Sequence, residues 1–268
     1  QARNPGGDWE LYLSRYCTDH ISKLTAITFD DTQAQIHGYQ VVWLSQDTVR
    51  GLDIVYVYNV LTATLRSVAS DPGEIVHPHT DGLWIVWQIR SSLDPGADFE
   101  IQYWDGFTVR PLTNNNYDDI FPEISERQIV WESEEAGDSE IFHYSAGVTT
   151  KLSDNTRNDS EPFVDVTTEG TTVGWRYHDG TDWEVRLANK VPASPVWKDG
   201  TLTNNTASDL PTDVADGGVI WFGGPGNSEI YACLPRGDAA GAVVNLSNSA
   251  YEDRYPRLGK AAAVWQGR

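Results

Sequence analysis

The chain has 268 residues, of which 39 are acidic and 19 basic, so its formal net charge at pH 7 is −20. Such a charge repels nucleic acids and anionic membranes, and we expect neither as a partner. The apolar runs of the sequence are shorter than the roughly 18 residues of a membrane-spanning helix, so we expect no membrane insertion.

A tryptophan closes six similar apolar stretches at a nearly fixed interval. The intervals are 44, 44, 44, 46 and 44 residues, and the six positions are Trp43, Trp87, Trp131, Trp175, Trp221 and Trp265. A fixed period of this length predicts an array of equal structural repeats.

Each repeat contains four short extended segments. In the third repeat they are rich in β-branched and aromatic residues and bounded by Gly, Asn, Asp and Ser, and they cover residues 121–124, 128–133, 140–144 and 148–152. Four antiparallel strands in about 44 residues are typical of a β-propeller blade, and the chain length predicts six blades. We therefore predict an all-β, six-bladed propeller as a single domain over 1–268.

The two ends of the chain are predicted to complete one blade together. Residues 7–13 match the third segment of the other repeats, whereas the chain ends just after a second segment. We place blades one to five at about 29–249 and build the sixth from 1–28 and 250–268. A blade joined in this way leaves no free sheet edge.

The order of residues within a repeat is also distinctive. An acidic loop, a Pro, an apolar second strand and a Glu-Ile third strand follow one another as Asp119, Pro122, Trp131 and Glu140-Ile141, and they recur in part as Asp253, Pro256 and Trp265. This order resembles the TolB-like six-bladed propellers, with departures at the closing Trp and at Ala34, where Pro is expected. The family includes transport accessory proteins, peptidase propeller domains and sugar-acid lyases, so the resemblance implies a fold far more than a function.

Three features bear on the cellular compartment. The chain begins at Gln1 and contains no Met, and we interpret it as a mature secreted or periplasmic protein, although an excised domain would look the same. A bridge between Cys17 and Cys233 would suit an oxidising compartment, and the alternative is two buried thiols. Glycosylation sequons stand at Asn158, Asn204 and Asn245.

Acidic residues recur at two positions of the repeat. One begins the third strand, at Glu10, Asp53, Glu100, Glu140, Glu184 and Glu229, and we expect it to accept hydrogen bonds from the backbone of the adjoining turn or of the neighbouring blade. The other precedes the inner strand, and a ring of its carboxylates would suit Ca²⁺ at Asp31, Asp119, Asp159 and Asp253. The alternative is that these side chains cap turns, and we expect no cofactor to be required.

The loops before the inner strands differ in a way that favours ligand binding. The residue that takes the place of Pro122 in each repeat is here called the Pro-equivalent residue. Three of the loops carry an aromatic residue five positions before it, namely Phe29, Tyr117 and Tyr251, and Asn115 lies near Tyr117. Aromatic faces beside amides are typical of carbohydrate sites, and the alternative is that the rings pack onto the blade. Trp197, in a long excursion of the fourth repeat, either anchors a partner or folds back over the blade.

The inner strands carry polar side chains that we expect to face the central channel. Strand alternation places the residues on either side of the Pro-equivalent on one side, with Pro211 taken as the equivalent in the fifth repeat. A channel-based lyase or hydrolase would use His77, His79, Glu123, Tyr255 and Arg257. The net charge disfavours a polyanionic substrate, and we predict a binding or scaffold propeller without catalysis. We expect carbohydrate first and a protein partner or self-association, as in a filament, second.

Overall fold

The computed structural model describes residues 2–3, 7–14, 21–26, 28–92, 97–135, 137–192, 194, 196–233, 241–259 and 262–267. The chain divides into two compact units, Gln1–Pro122 and Glu123–Arg268. Within the described ranges, secondary structure consists of β-strands and turns, and no helix has the length and apolarity that crossing a membrane requires.

The N-terminal unit contains two four-stranded antiparallel sheets and two short strand pairs. The pairs are β1 with β2 and β3 with β4; the first sheet is β5 to β8 and the second β9 to β12. The strands are β1 Ala2–Arg3, β2 Trp9–Glu10, β3 Tyr12–Ser14, β4 Ile21–Lys23, β5 Asp30–His37, β6 Gln40–Asp47, β7 Leu52–Asn59, β8 Thr64–Asp71, β9 Glu74–Thr80, β10 Ile85–Arg90, β11 Glu100–Trp104 and β12 Val109–Pro111.

The C-terminal unit continues the same pattern, and the boundary between the units falls within β13. The third sheet is β13 to β16, the fourth β17 to β20 and the fifth β21 to β24, while β25 pairs with β26 alone. The strands are β13 Asp119–Ser125, β14 Gln128–Glu135, β15 Asp138–Ser145, β16 Val148–Lys151, β17 Asp159–Thr167, β18 Gly170–His178, β19 Trp183–Lys190, β20 Lys198–Thr201, β21 Leu210–Ala215, β22 Gly218–Gly223, β23 Glu229–Cys233, β24 Val243–Asn245, β25 Asp253–Leu258 and β26 Ala263–Gly267.

Five sheets therefore have the predicted four strands in chain order, which confirms the all-β class and the four-stranded repeat. The described terminal strands lie in separate two-stranded pairs. A sixth blade completed by both ends of the chain stays a prediction.

The repeat Trp packs against the preceding sheet. Trp87, which is 0% exposed, contacts a cluster that contains Val42 and Val55 of the first sheet. In the C-terminal unit, Trp175 packs with Val130 of the third sheet, and Trp221 with Val185 of the fourth. A large flat ring fills the space between two twisted sheets, which explains why the sequence repeats Trp at this position.

Each inner strand, which is the first strand of its sheet, carries a β-bulge at the Pro-equivalent position. The residue before this position adopts a positive φ at Gln33, His77, Phe121, Glu161 and Tyr255, with values from 50° to 54°. The strand register shifts at four of these places. Two residues thus oppose one on the next strand, and where the second of them is Pro it has no N–H to leave unpaired.

The bulges bear on one prediction from the sequence. Side chains alternate between faces only while the strand is regular, and the bulge at His77 and Pro78 interrupts this order before His79 is reached. Regular alternation therefore does not decide the sides of His77 and His79, and their placement on one side stays a prediction.

Replacement of a repeat Trp should destabilise the fold strongly. Trp87→Ala removes a fully buried ring and is expected to lower the free energy of unfolding by about 3–5 kcal/mol. Urea unfolding followed by circular dichroism measures this change. Phe107→Ala, at a side chain that is 88% exposed, should change it by less than about 0.5 kcal/mol, and equal effects of the two substitutions would contradict the packing described above.

Candidate functional site

One hydrogen-bonded loop structure precedes several inner strands. In the loop before β17, Asn155 donates its backbone N–H to Glu140 Oε1 over 2.7 Å, and its side-chain amide donates to Asp159. The backbone N–H of Arg157 then donates to Asn155 Oδ1 over 2.8 Å. Asp159 also accepts a hydrogen bond from the indole N–H of Trp175. The loop is thus fixed between the inner strand, the third strand and the core.

The same structure recurs before β13, β21 and β25. Asn115 donates to Asp119 over 2.6 Å, Asn205 to Asp209 over 2.5 Å, and Ser249 to Asp253 over 2.7 Å. The backbone N–H groups of the same three residues donate hydrogen bonds to third-strand carboxylates, namely Glu100, Glu184 and Glu229. This confirms the predicted turn-binding role of the acidic residue at the third strand.

The four carboxylates predicted to hold Ca²⁺ take part in these loops as buried acceptors. Asp31 accepts a hydrogen bond from Trp43 Nε1 over 3.0 Å. Asp159 accepts from Asn155 and Trp175. Asp119 accepts from Asn115, and Asp253 accepts from Ser249. Burial raises the pKa of Asp159 to about 6 and that of Asp209 to about 6, against the hydrogen bonds from their Asn partners. Their geometry matches the turn-capping alternative, and a metal at these positions stays a prediction.

Two of the three predicted aromatic ligand positions present exposed rings. Tyr117 is 42% exposed, and its backbone N–H donates to Asn115 Oδ1 over 2.7 Å. Tyr251 is 65% exposed, and Ser249 holds it through both its N–H and its carbonyl oxygen. Phe29 is half-buried. The side chain of Asn115 is engaged within the loop, so the tyrosine rings are the groups that face solvent.

Trp197 folds back over its own part of the fold. Its ring packs against the cluster that contains Trp175, and it meets His143 edge to face with 4.9 Å between ring centroids. Lys190 Nζ lies 5.7 Å from the centre of the ring. Burial lowers the pKa of His143 to about 4, so this imidazole is neutral at pH 7. These contacts correspond to the packing alternative, and a partner-binding role of Trp197 stays a prediction.

In the N-terminal unit, His77 is held by three contacts. Its backbone N–H donates to Gln33 Oε1 over 2.7 Å, and its Nδ1 lies 3.0 Å from Gln88 Oε1. Its ring stacks on Phe121 at 5.2 Å, and the Phe121 N–H also donates to Gln88 Oε1 over 2.8 Å. His79 is half-buried. The imidazole of His77 therefore links neighbouring inner strands.

In the C-terminal unit, a carboxylate takes the place of Gln88. Glu132 Oε2 accepts from Ser160 Oγ over 2.6 Å and from the N–H of Glu161 over 3.1 Å. Arg176 forms an ion pair of 2.8 Å with Glu161. Burial raises the pKa of Glu132 despite these hydrogen bonds. Gln88 and Glu132 directly follow the repeat residues Trp87 and Trp131, a polar position that would have identified them from the sequence.

Arg257 lies beside an inner-strand carboxylate that sequence reasoning missed. Burial raises the pKa of Asp213, whereas the Arg257 guanidinium lowers it and the Glu123 carboxylate raises it, so all three groups are within electrostatic range. Arg257 also donates to the carbonyl oxygen of Thr212. Tyr255 is 63% exposed and lies against Phe222, with 5.7 Å between ring centroids.

Asp213 was missed because the fifth repeat was aligned one residue out of register. The bulge falls between Pro211 and Asp213, so Thr212 is the true equivalent of the prolines. Thr212 follows Asp209 by three residues, as Pro122 follows Asp119. The spacing of four residues between Asn205 and Asp209, shared with Asn115 and Asp119, was the available signal.

The remaining predicted positions concern covalent modification. Cys17 lies outside the described residues, and the bridge to Cys233 stays a prediction. Cys233 is buried with its Sγ 3.2 Å from the carbonyl oxygen of Gly241, and burial raises the pKa of its thiol. The sequon residues Asn158, Asn204 and Asn245 are all exposed, and their glycosylation stays a prediction.

Asp159 should make stability fall between pH 4 and pH 7. Because burial raises its pKa from 3.8 to about 6, the folded state retains a proton that the unfolded chain releases, and this stabilisation is lost as pH rises through 6. Between pH 4 and pH 7.5, the free energy of unfolding of the wild type should therefore fall by about 2–3 kcal/mol relative to that of Asp159→Asn. Urea titrations at constant ionic strength and at each pH measure this free energy of unfolding for both proteins. Asp154→Asn, at a side chain that is 85% exposed, is the control, and a pH-independent difference for Asp159→Asn would refute the expectation.

No protein-family model matches the sequence, and no curated protein matches it. Solved structures do match its fold. TolB from Acinetobacter baumannii is similar with a TM-score of 0.53 and 15% identity over 90% of this chain and 63% of that one. The β-propeller domain of the Trilobed protease from Pyrococcus furiosus is similar with a TM-score of 0.60 and 8% identity over 92% of this chain and 76% of that one.

A prolyl endopeptidase structure gives a TM-score of 0.64 with 11% identity over 90% of this chain. The chain spans 63% of the TolB chain and 40% of the endopeptidase chain, which is less than two thirds of each. At identities this low, the structural similarity shows the fold and leaves the function open. The chain therefore has a β-propeller fold of the kind found in TolB.

Proposed function

We propose that the protein is a six-bladed β-propeller that binds a ligand without catalysis, at the loops before its inner strands. The observation that carries the proposal is the pair of exposed rings, Tyr117 and Tyr251, at the same place in the same hydrogen-bonded loop. In a propeller these loops surround one mouth of the central channel. Loops fixed before binding lose less entropy when a ligand arrives.

Carbohydrate is the ligand class that these loops favour most. An exposed tyrosine ring offers a flat apolar face for the C–H groups of a sugar ring, and its hydroxyl offers a hydrogen bond. The net charge of −20 disfavours polyanions and leaves neutral oligosaccharides as the first choice. A protein partner or self-association is the second, since exposed tyrosines are also enriched in protein interfaces.

Contacts at each end of the chain support the sixth blade. In the N-terminal unit, Thr25 Oγ1 donates to Glu10 and accepts from the Leu11 N–H, as Ser153 does with Glu140 and Ile141. Residues 9–14 and 21–25 thus repeat the third and fourth strands of a sheet. In the C-terminal unit, Leu258 and Ala263 pack on the fifth sheet, as an inner strand pair would. We therefore propose that the two ends form one blade.

We also propose a secreted or periplasmic location. The predicted bridge between Cys17 and Cys233 would tie the N-terminal strands to the body of the proposed ring in an oxidising compartment. Intact mass measured with and without a reducing agent, after thiol alkylation, tests the bridge directly.

A lyase or hydrolase is the rival from another class. Its favourable observation is the proximity of Glu123, Asp213 and Arg257, because a cation beside carboxylates suits acid–base chemistry on a charged substrate. The contacts that fix the ring of His77 between Gln88 and Phe121 favour a structural role for this residue.

Removal of either exposed ring should weaken carbohydrate binding. A pool of neutral and acidic oligosaccharides is incubated with the protein, and retained and cleaved species are identified by mass spectrometry. Tyr117→Ala and Tyr251→Ala should each reduce affinity for the retained sugar about 3–10-fold, the loss of one aromatic contact. Phe107→Ala, which removes an exposed ring from another turn, should leave affinity unchanged.

Two outcomes would overturn the proposal. Unchanged retention in both tyrosine variants would place the ligand elsewhere on the protein. Cleavage of an acidic sugar that is lost in Arg257→Ala would establish the enzyme instead.

A further inference from the structure

Three acidic side chains converge at the hairpin between β18 and β19. Asp179 lies in the turn, Asp182 immediately precedes β19, and Glu184 is the second residue of that strand. One carboxylate oxygen from each lies within 4.8 Å of the other two. These residues are separate from the four carboxylates predicted to hold Ca²⁺ from the sequence.

Two of these carboxylates are buried with oxygens that lack a partner. Asp182 is 9% exposed and Glu184 is 1% exposed. Both oxygens of Asp182 and the Oε2 of Glu184 have no hydrogen-bond partner within the described part of the chain. A buried carboxylate without hydrogen bonds or a counter-ion costs several kcal/mol. The protein therefore needs a positive group at this position, and the described side chains do not supply one within hydrogen-bonding distance.

The other carboxylate oxygens at the hairpin hold the backbone in place. Asp179 Oδ1 accepts from the N–H groups of Thr181 and Asp182 over 2.7 Å and 3.2 Å. Glu184 Oε1 accepts from the N–H of Asn205 over 2.7 Å. Each of these two residues thus uses one oxygen for the fold, and the oxygen that remains is available to a ligand.

The surrounding charge is mainly negative. Asp182 and Glu184 both act electrostatically on Asp209, which adds a fourth carboxylate to the region. The nearby basic groups, Arg157 and His178, act on Asp179 at the exposed side of the turn.

We propose that Asp179, Asp182 and Glu184 bind one calcium ion. Ca²⁺ takes oxygen ligands at 2.3–2.6 Å in a flexible geometry, and three carboxylate oxygens that lie within 4.8 Å of one another can approach one such ion. Mg²⁺ needs distances near 2.1 Å in a nearly ideal octahedron and gives up its waters reluctantly, whereas Ca²⁺ accepts the irregular geometry of carboxylates fixed by the fold. Water completes the coordination at the exposed side of Asp179.

The ion would connect two segments of the C-terminal unit. Asp182 and Glu184 belong to the hairpin, and Glu184 also binds the loop before β21 through Asn205. That loop corresponds to the loops that carry Tyr117 and Tyr251 in other repeats. Bound Ca²⁺ should therefore stabilise the hairpin and the adjoining loop together, whether or not the protein binds carbohydrate.

Calcium titration of the whole chain tests the site. After treatment with a chelating resin, the wild type is titrated with CaCl₂ in a calorimeter, and its thermal midpoint is measured with and without Ca²⁺. We expect one ion per chain and a rise in Tm. Asp182→Asn should weaken binding at least tenfold and abolish the rise, whereas Glu169→Gln, an exposed carboxylate elsewhere in this unit, should behave as the wild type.

A second variant keeps the test decisive if Asp182→Asn does not fold. Asp179→Asn retains an Oδ1 acceptor for the turn and loses the charge, so it should fold and still bind Ca²⁺ at least tenfold more weakly. The proposal is overturned if the wild type binds no Ca²⁺, or if a folded variant at position 179 or 182 binds it as tightly as the wild type. Equal affinity for MgCl₂ would contradict the assignment to calcium.

Discussion

The buried Trp within the second strand of each four-stranded sheet is the contact on which the rest of the structure depends. In both units, this ring fills the space between its own sheet and the preceding one. At Trp43 and Trp175 the indole N–H also donates to an Asp at the start of the inner strand of its sheet. One side chain therefore joins the packing between sheets to the loops at their ends. In these two repeats, the buried Trp thus holds the loop before the inner strand against the core.

Burial of carboxylates is the second constraint, and it connects the fold to the candidate sites. Asp159 and Asp209 stay buried because Asn side chains donate to them, and desolvation still raises the pKa of both to about 6. Corresponding hydrogen bonds, from Asn115 to Asp119 and from Ser249 to Asp253, fix the loops that present Tyr117 and Tyr251. Where the donors are missing, as at Asp182, the buried oxygens have no partner, and a cation becomes the reasonable occupant. The same physical cost thus explains a structural role in one loop and a candidate metal site in another.

The sequence was sufficient for the repeat and the fold, because a period of 44 residues and a closing Trp survive in every repeat. It was not sufficient for the inner strands. Backbone bulges at His77 and Tyr255 leave no mark in composition, so alternation could not decide the sides of the residues beyond them. In the fifth repeat, Pro211 was aligned with the prolines of the other repeats. The spacing from Asp209 identifies Thr212 as the equivalent residue, in agreement with the position of the bulge. Glu184 was understood as a feature of every repeat, and only the structure places Asp179 and Asp182 beside it.

NMR on protein with ¹³C-labelled tyrosine rings tests the binding account most directly. During titration with the retained oligosaccharide, the account predicts that the ring signals of Tyr117 and Tyr251 shift and broaden. The signals of Tyr12 and Tyr39, which are 43% and 62% exposed, should stay unchanged. Shifts confined to other tyrosines, or to Tyr255 beside the inner strands, would contradict the claim that the loops before the inner strands bind the ligand.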